Sequence, residues 1–173
     1  MTSFRLLRGF TLVVNDANNL GIEIEEAKLP SLEEKTEDFQ PGGSDIEITV
    51  AGLGLKAPKM PFKLKSHNPL VTGLIGGPPG TRHDFTAKKF VVDEVDGSEH
   101  EHAIDIKGRL LKAEGEQMQA GKASGYDYEV GSILTYSESW DGRVMHRFSL
   151  LLGGWTTWNY QAVNEARRRI LFG

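Results

Sequence analysis

Cysteine is absent from the 173-residue chain, which excludes disulfide scaffolds, thiolate nucleophiles and cysteine-ligated zinc. Long apolar runs are absent as well. Nothing approaches the roughly 18 residues that a bilayer-spanning helix needs, and Leu150-Leu151-Leu152 with its neighbours is the longest stretch. Met1 to Arg8 carries charge where a secretory leader would place its apolar segment, so synthesis inside the cell is expected. A basic excess is missing too: 20 Lys and Arg stand against 24 Asp and Glu, a net charge of −4. That balance argues against a dedicated nucleic-acid binder. The length suits one domain, residues 1–173, with a sizeable core.

The acid is unevenly placed. Residues 1–60 hold six Lys/Arg and ten Asp/Glu, whereas residues 61–173 hold fourteen of each. Most of it lies in Glu23-Ile24-Glu25-Glu26 and Glu33-Glu34-Lys35-Thr36-Glu37-Asp38. A run of this kind is ordinarily a solvated face; the alternative is a surface that repels an anion.

Alternation of period two dominates the chain and predicts half-buried antiparallel strands. Ile22 and Ile24 alternate with Glu23 and Glu25; Ile46, Ile48 and Val50 with Asp45, Glu47 and Thr49. The even positions from Tyr126 to Tyr136 and from Val144 to Leu152 continue the pattern. Strands also fit Phe10–Asn15, Phe85–Asp93 and His102–Lys112. Trp140-Asp141-Gly142-Arg143 and Val95-Asp96-Gly97-Ser98 read as tight turns that need positive φ. Asn68-Pro69 predicts the start of a short helix that Gly76-Gly77 would stop, and a weaker helical pattern covers Gln161 to Ile170. Two stretches, Thr36–Ser44 and Ala113–Gly125, read as polar, Gly-containing loops of the kind that carry contacts. The expected fold is mainly β: an antiparallel barrel or sandwich with one flanking short helix and extended assembly loops.

Motifs suggestive of chemistry fail on context. Gly52-Leu53-Gly54-Leu55-Lys56-Ala57 follows a strand, but Pro58 and Pro61 prevent the helix that a dinucleotide site requires. Gly77-Pro78-Pro79-Gly80-Thr81 continues into Arg82-His83-Asp84 instead of the Gly-Lys-Ser/Thr of a phosphate loop. His100 and His102 share one strand face and could grip a metal, yet no third ligand is indicated, and a small metal-dependent β-barrel enzyme is the weaker alternative. No nucleophile elbow or distinguished carboxylate pair appears. The expectation is a non-catalytic chain without cofactor or metal; a β-barrel ligand binder is less consistent with its many charged alternate positions.

The segment Ala27 to Phe39 (Ala-Lys-Leu-Pro-Ser-Leu-Glu-Glu-Lys-Thr-Glu-Asp-Phe), followed by Gly42-Gly43, resembles the major tail tube protein of contractile-tailed bacteriophages. Leu29, Pro30, Leu32, Lys35, Glu37, Phe39 and Gly42 occupy the places of that family's Leu-Pro strand end, recurring Leu, Lys and Glu, aromatic and glycine-rich loop. The likeness continues through Gly125–Gly142 and the Arg-rich end, Asn164 to Ile170; Gly76-Gly77-Pro78-Pro79-Gly80 departs from it. It implies hexameric rings stacked head to tail into a hollow tube, with strands of each subunit joining an inner barrel. It also implies a tail sheath around the tube, baseplate and tail-terminator partners, and double-stranded DNA passing through without specific binding. The place would be the virion tail, assembled in the bacterial cytoplasm. The same family includes tubes of contractile bacteriocins, and its fold is shared with secretion-system tube rings.

Within that picture, Glu23, Glu25, Asp45 and Glu47 are expected to face the lumen, with Asp127 and Glu129 as weaker candidates. The alternative for each is an outer surface position or an ion pair with Lys or Arg of a neighbour. Glu37, Phe39, Gly42 and Gly43 are expected to contact a neighbouring subunit, as are Arg167, Arg168 and Arg169, because charge beside apolar side chains suits a docking tail.

Overall fold

The structure, a computed structural model of the chain, describes residues 2–151, 153–158, 162–163 and 165–173. Its strands are β1 (Arg5–Val14), β2 (Asn18–Asn19), β3 (Ile24–Ala27), β4 (Glu37–Phe39), β5 (Ile48–Val50) and β6 (Met60–Leu64). They continue after helix α1 (Pro69–Thr72) with β7 (His83–Asp93), β8 (Glu99–Gly115), β9 (Tyr126–Trp140), β10 (Arg143–Ser149), β11 (Gly154–Thr156) and β12 (Ala162–Val163). Helix α2 (Glu165–Phe172) follows. Mainly antiparallel β is therefore the observed class.

Among the described residues, ten strands share one sheet in the order β12-β11-β10-β9-β8-β7-β1-β2, with β6 branching from β9 and β3 from β6. The branch makes the sheet fold on itself. The first residues of β9 pair with β6 (Met60 opposite Val130, Leu64 opposite Tyr126), while its later residues pair with β10 (Phe148 opposite Tyr136). The β3–β6 layer thus lies over β1 and β7, giving a sandwich, and the described strands do not close into a barrel.

Alternation supplies the core. Leu12 and Val14 of β1, Phe85 and Ala87 of β7, Ile104, Ile106 and Leu110 of β8, and Tyr128, Val130 and Tyr136 of β9 point between the layers. Met60, Phe62 and Leu64 meet them from β6. Phe62 stacks on Tyr128 at 5.0 Å between centroids and tilts against Phe85 at 6.5 Å. Burying one such ring contributes about 2–3 kcal/mol. A bulge at Leu111 changes the parity of β8, so that Leu110 and Ala113 both face the core while Leu111 is exposed.

Asn68 caps α1, accepting through Oδ1 from Leu70 N at 3.1 Å, and Pro69 opens the helix. The helix stops at Thr72, with Gly73 closing it, well before Gly76-Gly77. Val71 is fully buried, and Thr72 Oγ1 meets Tyr128 Oη at 2.7 Å, so α1 plugs one end of the sandwich. The Asp141-Gly142 turn has φ of 48° and 78°, the geometry expected of a two-residue hairpin turn.

Three sequence expectations need revision. Ile22 lies fully exposed in a turn, and the strand there begins only at Ile24. Thr36–Ser44 is not wholly loop, because Glu37–Phe39 pairs with Ile48–Val50. The C-terminal helix is Glu165–Phe172, later than Gln161–Ile170, since Ala162–Val163 pairs with β11; Gln161 and Asn164 lie outside the described residues.

Gly125 marks the tightest approach of backbones. A Cβ there would sit 1.9 Å from the Leu64 carbonyl oxygen, whereas one on Gly43 would meet nothing within 4 Å. Gly125→Ala should lower the unfolding free energy by about 2–4 kcal/mol. Gly43→Ala should change it by less than about 0.5 kcal/mol. Denaturant midpoints compare the two, and equal effects would contradict this packing.

Candidate assembly surfaces

Among the described residues, three surfaces stand out as uncovered by the chain's own packing. The first is the face of the large sheet opposite the core. Cross-strand registry aligns Thr86, Asp105, Ser137, Arg147 and Thr156 in one row, and Asp84, Lys107, Thr135 and Ser149 in the next. Thr86 Oγ1 donates to Asp105 at 2.7 Å. The face mixes short hydroxyl side chains with two acids and two bases in these rows. Its residues were visible in the sequence as the polar half of each alternating strand, but nothing there showed that five strands present them together.

The second surface is an arm. β4 and β5 form a ribbon separate from the main sheet, rooted where Glu34 bridges Leu55 and Lys56 N donates to Glu33 O. Neither of its faces is buried: Phe39 is 56% exposed, Ile46 76% and Ile48 57%. The alternation of residues 45–50 is therefore strand geometry without a core beneath it. Glu37, Asp38, Asp45 and Glu47 are exposed as well, and no base lies between residues 37 and 50. Gly42 and Gly43 are exposed with room around them, and neither has a positive φ, so no backbone strain demands glycine there.

The third surface surrounds α2. Phe172 packs on Gly153, where a Cβ would come within 2.6 Å of its ring, and Arg168 lies beside Gly154. Arg167, Arg168 and Arg169 are exposed, as are Ile170, Leu171 and Phe172. Beside the helix runs a groove of about 600 Å³ with Ile133, Phe148 and Trp155 among its walls. The sequence offered no sign of the groove, because its walls come from six separate segments.

The four acids expected at a lumen do not come together. Glu23 accepts from Ser66 Oγ at 2.7 Å and Asn68 Nδ2 at 2.9 Å, bracing the α1 cap. Glu25 lies 3.4 Å from Lys65 Nζ and 3.8 Å from Lys63 Nζ. Asp45 and Glu47 sit on the arm. Asp127 faces the same charged cluster, and Glu129 pairs with Lys59 at 3.3 Å. The histidines are also engaged. His100 Nδ1 meets Asp141 Oδ2 at 2.6 Å, and His102 Nε2 meets Glu138 Oε1 at 2.7 Å. The His100 hydrogen bond and the Glu101 N–H lower the Asp141 pKa; the His102 hydrogen bond lowers that of Glu138. Among the described residues no cluster of three metal-ligating side chains occurs. The Gly77-Pro78 departure is a fastened turn: Arg109 donates to Gly77 O at 2.8 Å and Pro78 O at 3.0 Å.

An antiparallel sandwich with a broad polar sheet face and a projecting arm has clear relatives. Residues 5–152 match the model of the phage tail tube protein FII family. The chain belongs to that family. In this tail tube chain, the matched region spans β1 to β10 with the arm and stops before β11, β12 and α2. Its fold also resembles a chain in the extended-state sheath-tube complex of an extracellular contractile injection system, PVC. The TM-score is 0.56 at 9% identity, covering 76% of this chain and 88% of the other. A comparison with curated proteins finds no match.

The Glu25 cluster yields a pH dependence. Glu116 ion-pairs with Lys63, lies 3.7 Å from Lys65, and accepts from Gly125 N at 2.8 Å. The Lys63 hydrogen bond first, then the Gly125 N–H, hold its pKa down from 4.5 to about 2. A depressed folded-state pKa stabilises the fold above the unfolded value, and that contribution disappears as pH falls through the folded one. In urea titrations, the stability gap between wild type and Glu116→Gln should be widest near neutrality. It should narrow from about pH 5 downward. A gap independent of pH would contradict the pairing.

Proposed function

We propose that the chain forms hexameric rings, stacked head to tail into the inner tube of a contractile tail, and that the tube conducts DNA into the host. Its role is structural and not catalytic. Family membership supports a tail tube protein, and the single observation that carries the conduit is the wide uncovered polar face of the main sheet. A monomer gains nothing from five aligned strands of short hydroxyls and balanced charge turned away from its core, whereas a bore needs such a wall. Strand pairing between subunits would remove the free sheet edges, and head-to-tail stacking is open-ended, which makes a filament.

For the bore, that face has better support than Glu23, Glu25, Asp45 and Glu47, two of which have partners within their own chain. Balanced charge suits passage as well as acid does, because tight phosphate binding requires clustered Lys and Arg. A sheath around the tube, a baseplate and a terminator at its ends, and assembly in the bacterial cytoplasm complete the proposal. The likeness to an injection-system complex supports a second reading, a contractile particle without a genome. Nucleic acid inside purified particles separates the two.

Negative-stain microscopy of concentrated protein should show rings or tubes with a central channel; a monomer at every salt and concentration would refute the proposal. Ser137→Lys with Thr135→Lys adds bases to the proposed wall. Tubes of that variant should retain DNA on filters at low salt, with an affinity that falls steeply as salt rises. Wild-type tubes should not. Absence of any gain would place this face outside the bore.

A further inference from the structure

The arm and the groove beside α2 are complementary, although a single chain cannot join them. The groove is rimmed by Lys35, Lys56, Arg82, Arg167 and Arg168, and among the described residues its lining holds no acid. Its floor is apolar: Leu55, Ile133, Phe148, Trp155 and Phe172 contribute. Glu33 pairs with Lys56, and Arg82 donates to Ser132 O at 3.1 Å, so two of the five rim bases are already held within the chain. The arm tip has the opposite character, with Glu37, Asp38, Asp45 and Glu47 around exposed Phe39, Ile46 and Ile48.

We propose that this groove receives the acidic, apolar tip of the β4–β5 arm from a second copy of the chain. Geometry excludes the chain's own tip. Lys35 and Lys56 stand at the base of the arm, where Glu34 bridges Leu55, whereas the ladder ends at Phe39 opposite Ile48. Five residues of extended strand separate the two points by about 17 Å, and the turn lies further out. No residue between 36 and 50 lines the groove of its own chain. Such a contact is heterologous: each copy offers one arm and one groove, so the chain of contacts continues without closing on a pair. The apolar side chains supply affinity once water is excluded, while the charges set orientation and rate of encounter. The proposal rests on the tube reading and names the junction between successive copies.

Two charge-reversed full-length chains test it. The arm variant carries Glu37→Lys, Asp45→Lys and Glu47→Lys; the groove variant carries Lys35→Glu, Arg167→Glu and Arg168→Glu. None of these residues is in the core, so both should keep the wild-type thermal transition. Should the groove variant melt early, Arg167→Gln with Arg168→Gln replaces it. Each variant alone should need more than about ten times the wild-type concentration to grow tubes. Mixed in equal amounts, they should assemble with the two chains alternating, because the native arm meets the native groove at one junction and the two reversed surfaces meet at the next. A chain carrying both sets of changes should regain growth. Tubes from either variant at the wild-type concentration, or no complex in the mixture, would overturn the arm–groove contact while leaving the tube reading standing. A wild-type chain that never assembles would overturn both.

Discussion

Strand β9 carries β8 along one edge and, on the other, β6 over its first residues and β10 over its last. Everything else follows from that division. A single strand cannot keep two partners on one edge in the same plane, so the sheet parts near Ser132, which takes a φ of 48°. One layer then folds back over β1 and β7. Tyr128 and Val130 sit before the parting and Tyr136 after it, and all three reach the same core. Gly125 lets β6 approach at the start of the strand, and Asp141-Gly142 returns the chain at its end.

The same division determines what remains outside. Folding the β3–β6 layer onto one face satisfies the apolar half of β7, β8 and β9 and leaves their polar half facing away. The arm, inserted between β3 and β6, gains no cover from either layer, and α2 follows β12 in the chain and borders the groove that the arm's root also lines. The domain is stable through one face of its strands, which leaves the other face open and the arm and α2 available for association. In a tube this separation has a mechanical use. Subunit contacts then depend on peripheral elements, while the strands forming the wall are held by hydrophobic burial, which salt does not screen.

Local patterns carried most of the fold. Alternation located β1, β7, β8, β9 and β10, and the Asp-Gly turns and the Asn68-Pro69 cap were legible because each depends on a few neighbouring residues. Ile46, Ile48 and Val50 misled for an instructive reason: period-two alternation reports strand geometry and says nothing about whether another layer lies beneath. The partners of the acids at 23 and 25 were not legible either, since Ser66, Asn68, Lys63 and Lys65 come near them only through the β3–β6 pairing. The charged and apolar character of the Arg-rich end and of Phe39 was legible, and both are exposed. The groove was not, because Lys35, Arg82, Phe148 and Arg168 meet only after the whole sheet has formed.

The absence of cysteine makes the central claim directly measurable. Ser137→Cys places a lone thiol on the polar face, and its reactivity can be followed with a small maleimide and with the same group attached to a large protein. In the unassembled chain both reagents should react. In assembled, end-capped tubes the small reagent should still label Cys at this position while the large one is excluded, the signature of a wall lining a narrow channel. Labelling by both would put the face on the outside, and labelling by neither would bury it between subunits; either result would contradict the account.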